Sequence, residues 1–179
     1  MRKIHYVFSA LILINSIVLS QPVKRESSNA EAFSSKPEAF IETQFIQIGF
    51  TDLIELRVMK IKDINSGSAI SALRFEYQTT NQIFSQTKLA IVDEDEMDGL
   101  ISAVKTMITK MFIYEKDVYT EVTFQSRSGF VAGGYYTTDK KRWISYIQLD
   151  KLDNKSTIVI SKDDFSHFLD LLKQAKEKM

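Results

Sequence analysis

Between Arg127 and Tyr146 the chain sets cations beside aromatic rings: Arg127, Tyr135, Tyr136, Lys140, Lys141, Arg142, Trp143 and Tyr146. On a sheet surface such a mixture stacks bases or sugar rings and pairs with anions. These eight residues form the candidate ligand-binding set. A simpler reading makes Trp143 a core anchor and Lys140 to Arg142 a solvated hairpin turn. Strand alternation sends Trp143 and Ile147 to one face and Tyr146 to the other, so at most one of the two rings lies on an open face.

Asp93, Glu94, Asp95, Glu96 and Asp98, followed by Gly99, suggest calcium. An EF-hand loop counted from Asp93 needs an oxygen ligand at Met97 and a glycine one residue later, and its last ligand position falls on Val104. The run fits a helix start better, because acids there meet the positive end of the helix dipole. No metal is assigned. His167 falls on the polar side of a helical stripe and has no identifiable orienting partner, so a catalytic triad is unsupported. No G-x-S-x-G, H-E-x-x-H or P-loop is present, and the absence of cysteine rules out thiolate chemistry and disulfides. No catalytic residue and no cofactor are assigned. Gly133 and Gly134 interrupt an apolar strand; a bulge or bend is expected there, the alternative being close approach of a ligand or another backbone.

These residues need a scaffold, and the composition supports a globular one. The chain has 179 residues, 44% hydrophobic and 26% charged, with 23 basic and 23 acidic side chains. Zero formal charge removes the usual global footprint of a nucleic-acid binder. The first 20 residues read as an export signal. Arg2 and Lys3 precede a mostly apolar stretch from Tyr6 to Leu19, and Val18 and Ser20 suit signal-peptidase cleavage before Gln21. That stretch is broken by Ser9, Asn15 and Ser16 and is shorter than the ~20 residues of a membrane-spanning helix. Removing residues 1–20 of 179 leaves 159, with net charge −2 because Arg2 and Lys3 leave with them. The expected location is periplasmic or secreted, without a stable membrane span after cleavage.

Residues 21–43 hold both prolines, Pro22 and Pro37, and few large apolar groups. They read as a flexible linker, with Phe33 and Phe40 available for transient docking.

From residue 44 onward one unit is written twice. Ala90 to Val104 (AIVDEDEMDGLISAV) aligns without gaps on Ile158 to Leu172 (IVISKDDFSHFLDLL). Met97, Leu100, Ile101, Val104, Met107, Ile108 and Met111 share one helical face, as do Phe165, Phe168, Leu169, Leu172 and Ala175. Helices are expected at about 94–111 and 162–177, with capping pairs Asp93/Glu96 and Ser161/Asp164. Strands are expected at 45–50, 53–64, 69–77 and 83–92, then 118–125, 130–136, 143–149 and 157–160, separated by turn residues such as Asn65-Ser66-Gly67 and Asp153-Asn154-Lys155. Each half reads β-β-β-β-α. The fold class is α+β: tandem antiparallel sheets, each with one C-terminal amphipathic helix. Repeat 1 covers 44–112 and repeat 2 covers 113–179.

Two ββββα units with acidic strand-to-helix junctions, LAIVDEDEMDGLISAV and IVISKDDFSHFLDLL, resemble the Whirly family, related in fold to the positive-cofactor transcriptional coactivators. The resemblance implies single-stranded DNA or RNA binding across the sheet surface. The family's lysine-glycine-lysine-alanine motif has no counterpart here, so no binding residue is carried over. The functional expectation is an exported, non-enzymatic binding or interaction protein with a protein, glycan or small-molecule partner in the cell envelope. Nucleic acid is not the expected partner. Single-stranded nucleic-acid binding is the first alternative and hydrolysis of envelope polymers the second, because a carboxylate pair shows no signature in sequence.

Overall fold

The computed structural model describes residues 26–80 and 85–179. The leader expected at 1–20 lies outside the described residues, as do residues 21–25 of the expected linker, Asn81 of one expected turn and the start of the strand expected from Ile83.

Eight strands form two antiparallel sheets, each a simple meander. The first contains β1 (Ile41–Thr51), β2 (Ile54–Asp63), β3 (Ala69–Thr80) and β4 (Ser85–Asp93); the second contains β5 (Thr120–Gln125), β6 (Val131–Thr137), β7 (Arg142–Gln148) and β8 (Thr157–Ile160). Alternation decides which face is buried. Leu56, Phe75 and Ala90 lie in one cross-strand row and Val58, Leu73 and Val92 in the next, all on the inner face. Ala132, Ile147 and Ile158 form the matching row of the second sheet. The two inner faces and two helices share one core. Phe75 stacks on Phe130 of the other repeat at 4.4 Å between ring centroids and approaches Phe168 at 6.0 Å. Each fully buried ring contributes about 1.5–3 kcal/mol relative to exposure.

The structure bears out the duplicated α+β fold. A 3₁₀ turn (Glu94–Glu96) leads into α2 (Met97–Thr106), which ends in a π-helical turn (Met107–Met111); α3 (Lys162–Lys178) follows β8 directly. Val92, next to last in β4, and Ile160, last in β8, are both buried just before these helical segments. The helices are exchanged between repeats. Helix α2 packs on β5 and β6 of the second sheet, while α3 packs on β1 and β2 of the first as well as on β7. Gly49 of β1 leaves room for Leu171 of α3, whose Cδ2 stands 2.9 Å from where a Cβ would be. Thr51 Oγ1 donates to the Asp164 carbonyl at 3.0 Å. Each repeat therefore needs the other's helix to cover its sheet.

Two expectations are corrected. Part of the segment read as a flexible linker is ordered. Ser28 caps a short helix, α1 (Asn29–Ser34), through a complete capping box with Glu31. Ala30 and Phe33 are buried on the outer face of the first sheet against Met59, Ile61 and Ala72. These two residues supply the burial that composition alone did not reveal, and β1 begins at Ile41 rather than Phe45. The expected bulge at Gly133 and Gly134 is also absent: β6 pairs in unbroken register with β5 and β7. Each glycine instead makes room for a ring, Tyr146 on the outer face and Phe112 on the inner one. The irregularity in register lies in β1, between Gln47 and Gly49. No helix among the described residues is long and apolar enough to cross a membrane.

Candidate functional site

A cleft of about 480 Å³ opens where β7, the start of α3 and the segment after α2 meet. That volume is within the usual range for small-ligand sites. Four aromatic residues line it: Phe112, Tyr114, Tyr136 and Trp143. Tyr136 and Trp143 face each other across β6 and β7, edge to face at 5.7 Å, and Phe112 reaches Trp143 at 5.3 Å. The indole Nε1–H donates to the Tyr114 carbonyl at 2.8 Å, which fixes the ring plane and ties the segment after α2 to β7. Phe112 takes this position because the π-helical turn ends in a Phe112 N–H bond to the Met107 carbonyl and because Gly134 has no side chain to exclude it.

Cations surround this aromatic floor. Lys141 comes from the β6–β7 turn, where it holds a φ of 48°, Arg142 opens β7 and Lys162 opens α3. All three are exposed, and among the described residues none forms an ion pair. Among the described residues, Glu115 is the only carboxylate lining the cleft. The positive end of the α3 dipole adds to the same sign of potential. An anion carrying a flat ring or sugar face fits this arrangement: the charge on the rim, the ring against Trp143.

The structure thus brings together four of the eight candidate residues: Tyr136, Lys141, Arg142 and Trp143. Lys140 is exposed in the turn and does not line the cleft. Tyr135 and Tyr146 lie on the opposite, outer face of the second sheet because strand alternation separates them from their neighbours. There the rings of Tyr119, Tyr135 and Tyr146 follow one another at 6.1 and 6.2 Å. Tyr146 lies over Gly133 and donates its hydroxyl to Glu121 at 2.6 Å. Burial, and then that bond to a carboxylate, raise the phenol's pKa well above the ordinary tyrosine value.

Arg127 is committed elsewhere. Its guanidinium lies 2.5 Å from Asp93 and 2.9 Å from Asp95, and its backbone N–H donates to Glu96 at 2.7 Å. These bonds, the one to Asp95 first, raise its pKa further. Asp93 also accepts from the backbone N–H groups of Asn29 and Ala30. The carboxylates of Asp93, Asp95 and Glu96 gather within 4.8 Å, close enough to hold a metal ion, but Arg127 supplies the positive charge at that point. His167 is exposed on α3.

Phe112, Tyr114 and Lys162 were not singled out by sequence. Phe112 follows the last position of an apolar stripe and reads as a helix end. Lys162 reads only as a residue after a cap. The pairing of β8 with β7 is what brings the start of α3 beside Trp143. No protein family, curated protein or solved structure matches the chain.

Proposed function

We propose that the protein is an exported, non-enzymatic binding module that takes an acidic sugar of an envelope or extracellular polymer in the cleft around Trp143. The observation that carries this reading is the set of three unpaired cations, Lys141, Arg142 and Lys162, around a floor of Phe112, Tyr136 and Trp143. The leader-like N-terminus supports export. Among the described residues Glu115 is the one carboxylate lining the cleft, which supports binding without hydrolysis, since glycoside cleavage uses a pair.

A second reading, single-stranded nucleic acid, draws on the same cations and on the resemblance to the Whirly family. It is less well supported, because Tyr135 and Tyr146 lie on the other face and leave one stacking position rather than a platform.

Trp143 is the chain's only tryptophan, so its fluorescence reports on the cleft. The test titrates the protein with a uronic-acid oligosaccharide, its neutral counterpart and an oligonucleotide, at low and moderate salt. A saturable change with the acidic sugar alone is expected, lost when Lys141, Arg142 and Lys162 are all changed to Gln. Oligonucleotide binding that falls steeply with salt would favour the second reading. No response to any anion would end both.

A further inference from the structure

Among the described residues, the β1 edge of the first sheet is open. On β4, the other edge strand, the loop before β6 crosses the end: Ser128 donates to the Ile91 carbonyl, and Lys88 pairs with Asp153 at 2.7 Å. Among the described residues, strand β1 pairs only with β2. Of its eleven residues only Thr51 is buried, although the strand includes Ile41, Phe45, Ile46, Ile48 and Phe50. Phe45 is 48% exposed, and Phe40, just before the strand, is 65% exposed. Natural edges are usually blunted by lysine, proline or inward-pointing charge. Residues 40–46 carry a single charge, Glu42, and no proline. The register shift that would disturb pairing lies beyond them, at Gln47/Gly49.

The sequence of this edge, Phe-Ile-Glu-Thr-Gln-Phe-Ile, is chemically palindromic about Thr43. Laid antiparallel on a second copy with Thr43 opposite Thr43, it sets Ile41 against Phe45, Phe40 against Ile46 and Glu42 against Gln44, each twice. Apolar meets apolar, and an amide donor meets a carboxylate. The backbone agrees with this register. The Phe40 carbonyl accepts from the Ile64 N–H of the β2 side at 2.8 Å, so Phe40, Glu42, Gln44 and Ile46 turn their peptide groups inward. Ile41, Thr43 and Phe45 turn theirs to the open edge. In the Thr43-centred register those three residues face one another, giving about six backbone hydrogen bonds across the junction.

We propose that β1 is a self-recognition edge: two copies join their first sheets antiparallel across a twofold axis at Thr43, forming one continuous sheet. The interface is isologous, so it closes at two copies. The cleft at Trp143 belongs to the second sheet, and the proposal does not depend on its ligand.

The test measures mass by sedimentation over about 10 µM to 1 mM protein, a range that brackets a modest dimer affinity. A reversible monomer–dimer equilibrium is expected. Thr43→Pro removes an outward N–H and spares the β1–β2 ladder, so it should yield a monomer with an unchanged circular dichroism spectrum. Gln44→Glu sets like charges opposite Glu42 twice and should weaken the dimer; Gln44→Lys makes two opposite-charge pairs and should tighten it, each by roughly fivefold. If Thr43→Pro fails to fold, this opposed pair decides alone. A protein monomeric throughout the range overturns the proposal, and so does a dimer indifferent to the Gln44 variants.

Discussion

Arg127, on the loop between β5 and β6, reaches Asp93 at the end of β4 with 2.5 Å between Nη1 and Oδ2, and so joins the two repeats at one buried carboxylate. Asp93 simultaneously accepts from the first N–H groups of α1, so the same side chain holds the N-terminal helix on the sheet. A residue that looked like part of a ligand site is a structural clasp. Its removal has a specific signature, because α1 depends on Asp93 and the strand ladders do not.

Asp93→Asn is therefore expected to cost about 3 kcal/mol, the scale for removing one partner of a largely buried ion pair. Hydrogen exchange should show the loss unevenly, with residues 28–35 opening well before the strands. Uniform loosening of the whole domain would contradict the assigned role.

The exchange of helices predicts that neither repeat is a folding unit. Fragments 26–112 and 113–179 should each be largely unfolded by circular dichroism. Mixed together they should recover native-like spectra, because α2 and α3 then find the opposite sheets. A stably folded single fragment would contradict the exchange.

The two adjacent glycines should respond differently to alanine. At Gly133 a Cβ meets the Val122 carbonyl at 2.7 Å, a backbone atom that cannot step aside. At Gly134 it meets the Phe112 ring at 2.5 Å and the Ile144 carbonyl at 3.2 Å. Both substitutions are overpacking changes of about 1–3 kcal/mol. Gly133→Ala should lower the melting temperature more, whereas Gly134→Ala should displace Phe112 and alter Trp143 fluorescence.

Alkaline pH provides a fourth test. The folded pKa of Tyr146 is raised above the unfolded tyrosine value of ~10, so its stabilising contribution is complete below that pH. As pH rises past it, the unfolded state releases this proton first and stability falls. Melting temperature followed from pH 8 upward should decline more steeply in the wild type than in Tyr146→Phe, which has no phenol to titrate. Identical slopes would contradict the shift.

Much of the fold was legible because it is written in local patterns. Leu73, Phe75 and Tyr77 alternate as a half-buried strand does, and the stripe from Met97 to Met107 has helical spacing. The α1 cap was not read from the sequence: its capping box, Ser28 with Glu31, sits in a polar, proline-flanked stretch whose composition argued for a linker. What stayed hidden depends on residues far apart in the chain. Nothing near Arg127 indicates that Asp93, 34 residues earlier, takes its charge. Nothing near Gly133 indicates that Tyr146 lies over it. The candidate set is divided for a related reason. Proximity in sequence grouped eight residues, and the two faces of the sheet then divided them.

The most direct test of the central claim observes the indole N–H of Trp143 by NMR. With one tryptophan, the spectrum of the indole-labelled protein holds one such resonance. Titration with a uronic-acid oligosaccharide is predicted to shift it saturably, and the Lys141, Arg142 and Lys162 triple glutamine variant should show no shift at the same concentrations. A resonance that stays fixed through the titration, or one that moves equally in the variant, would contradict the account.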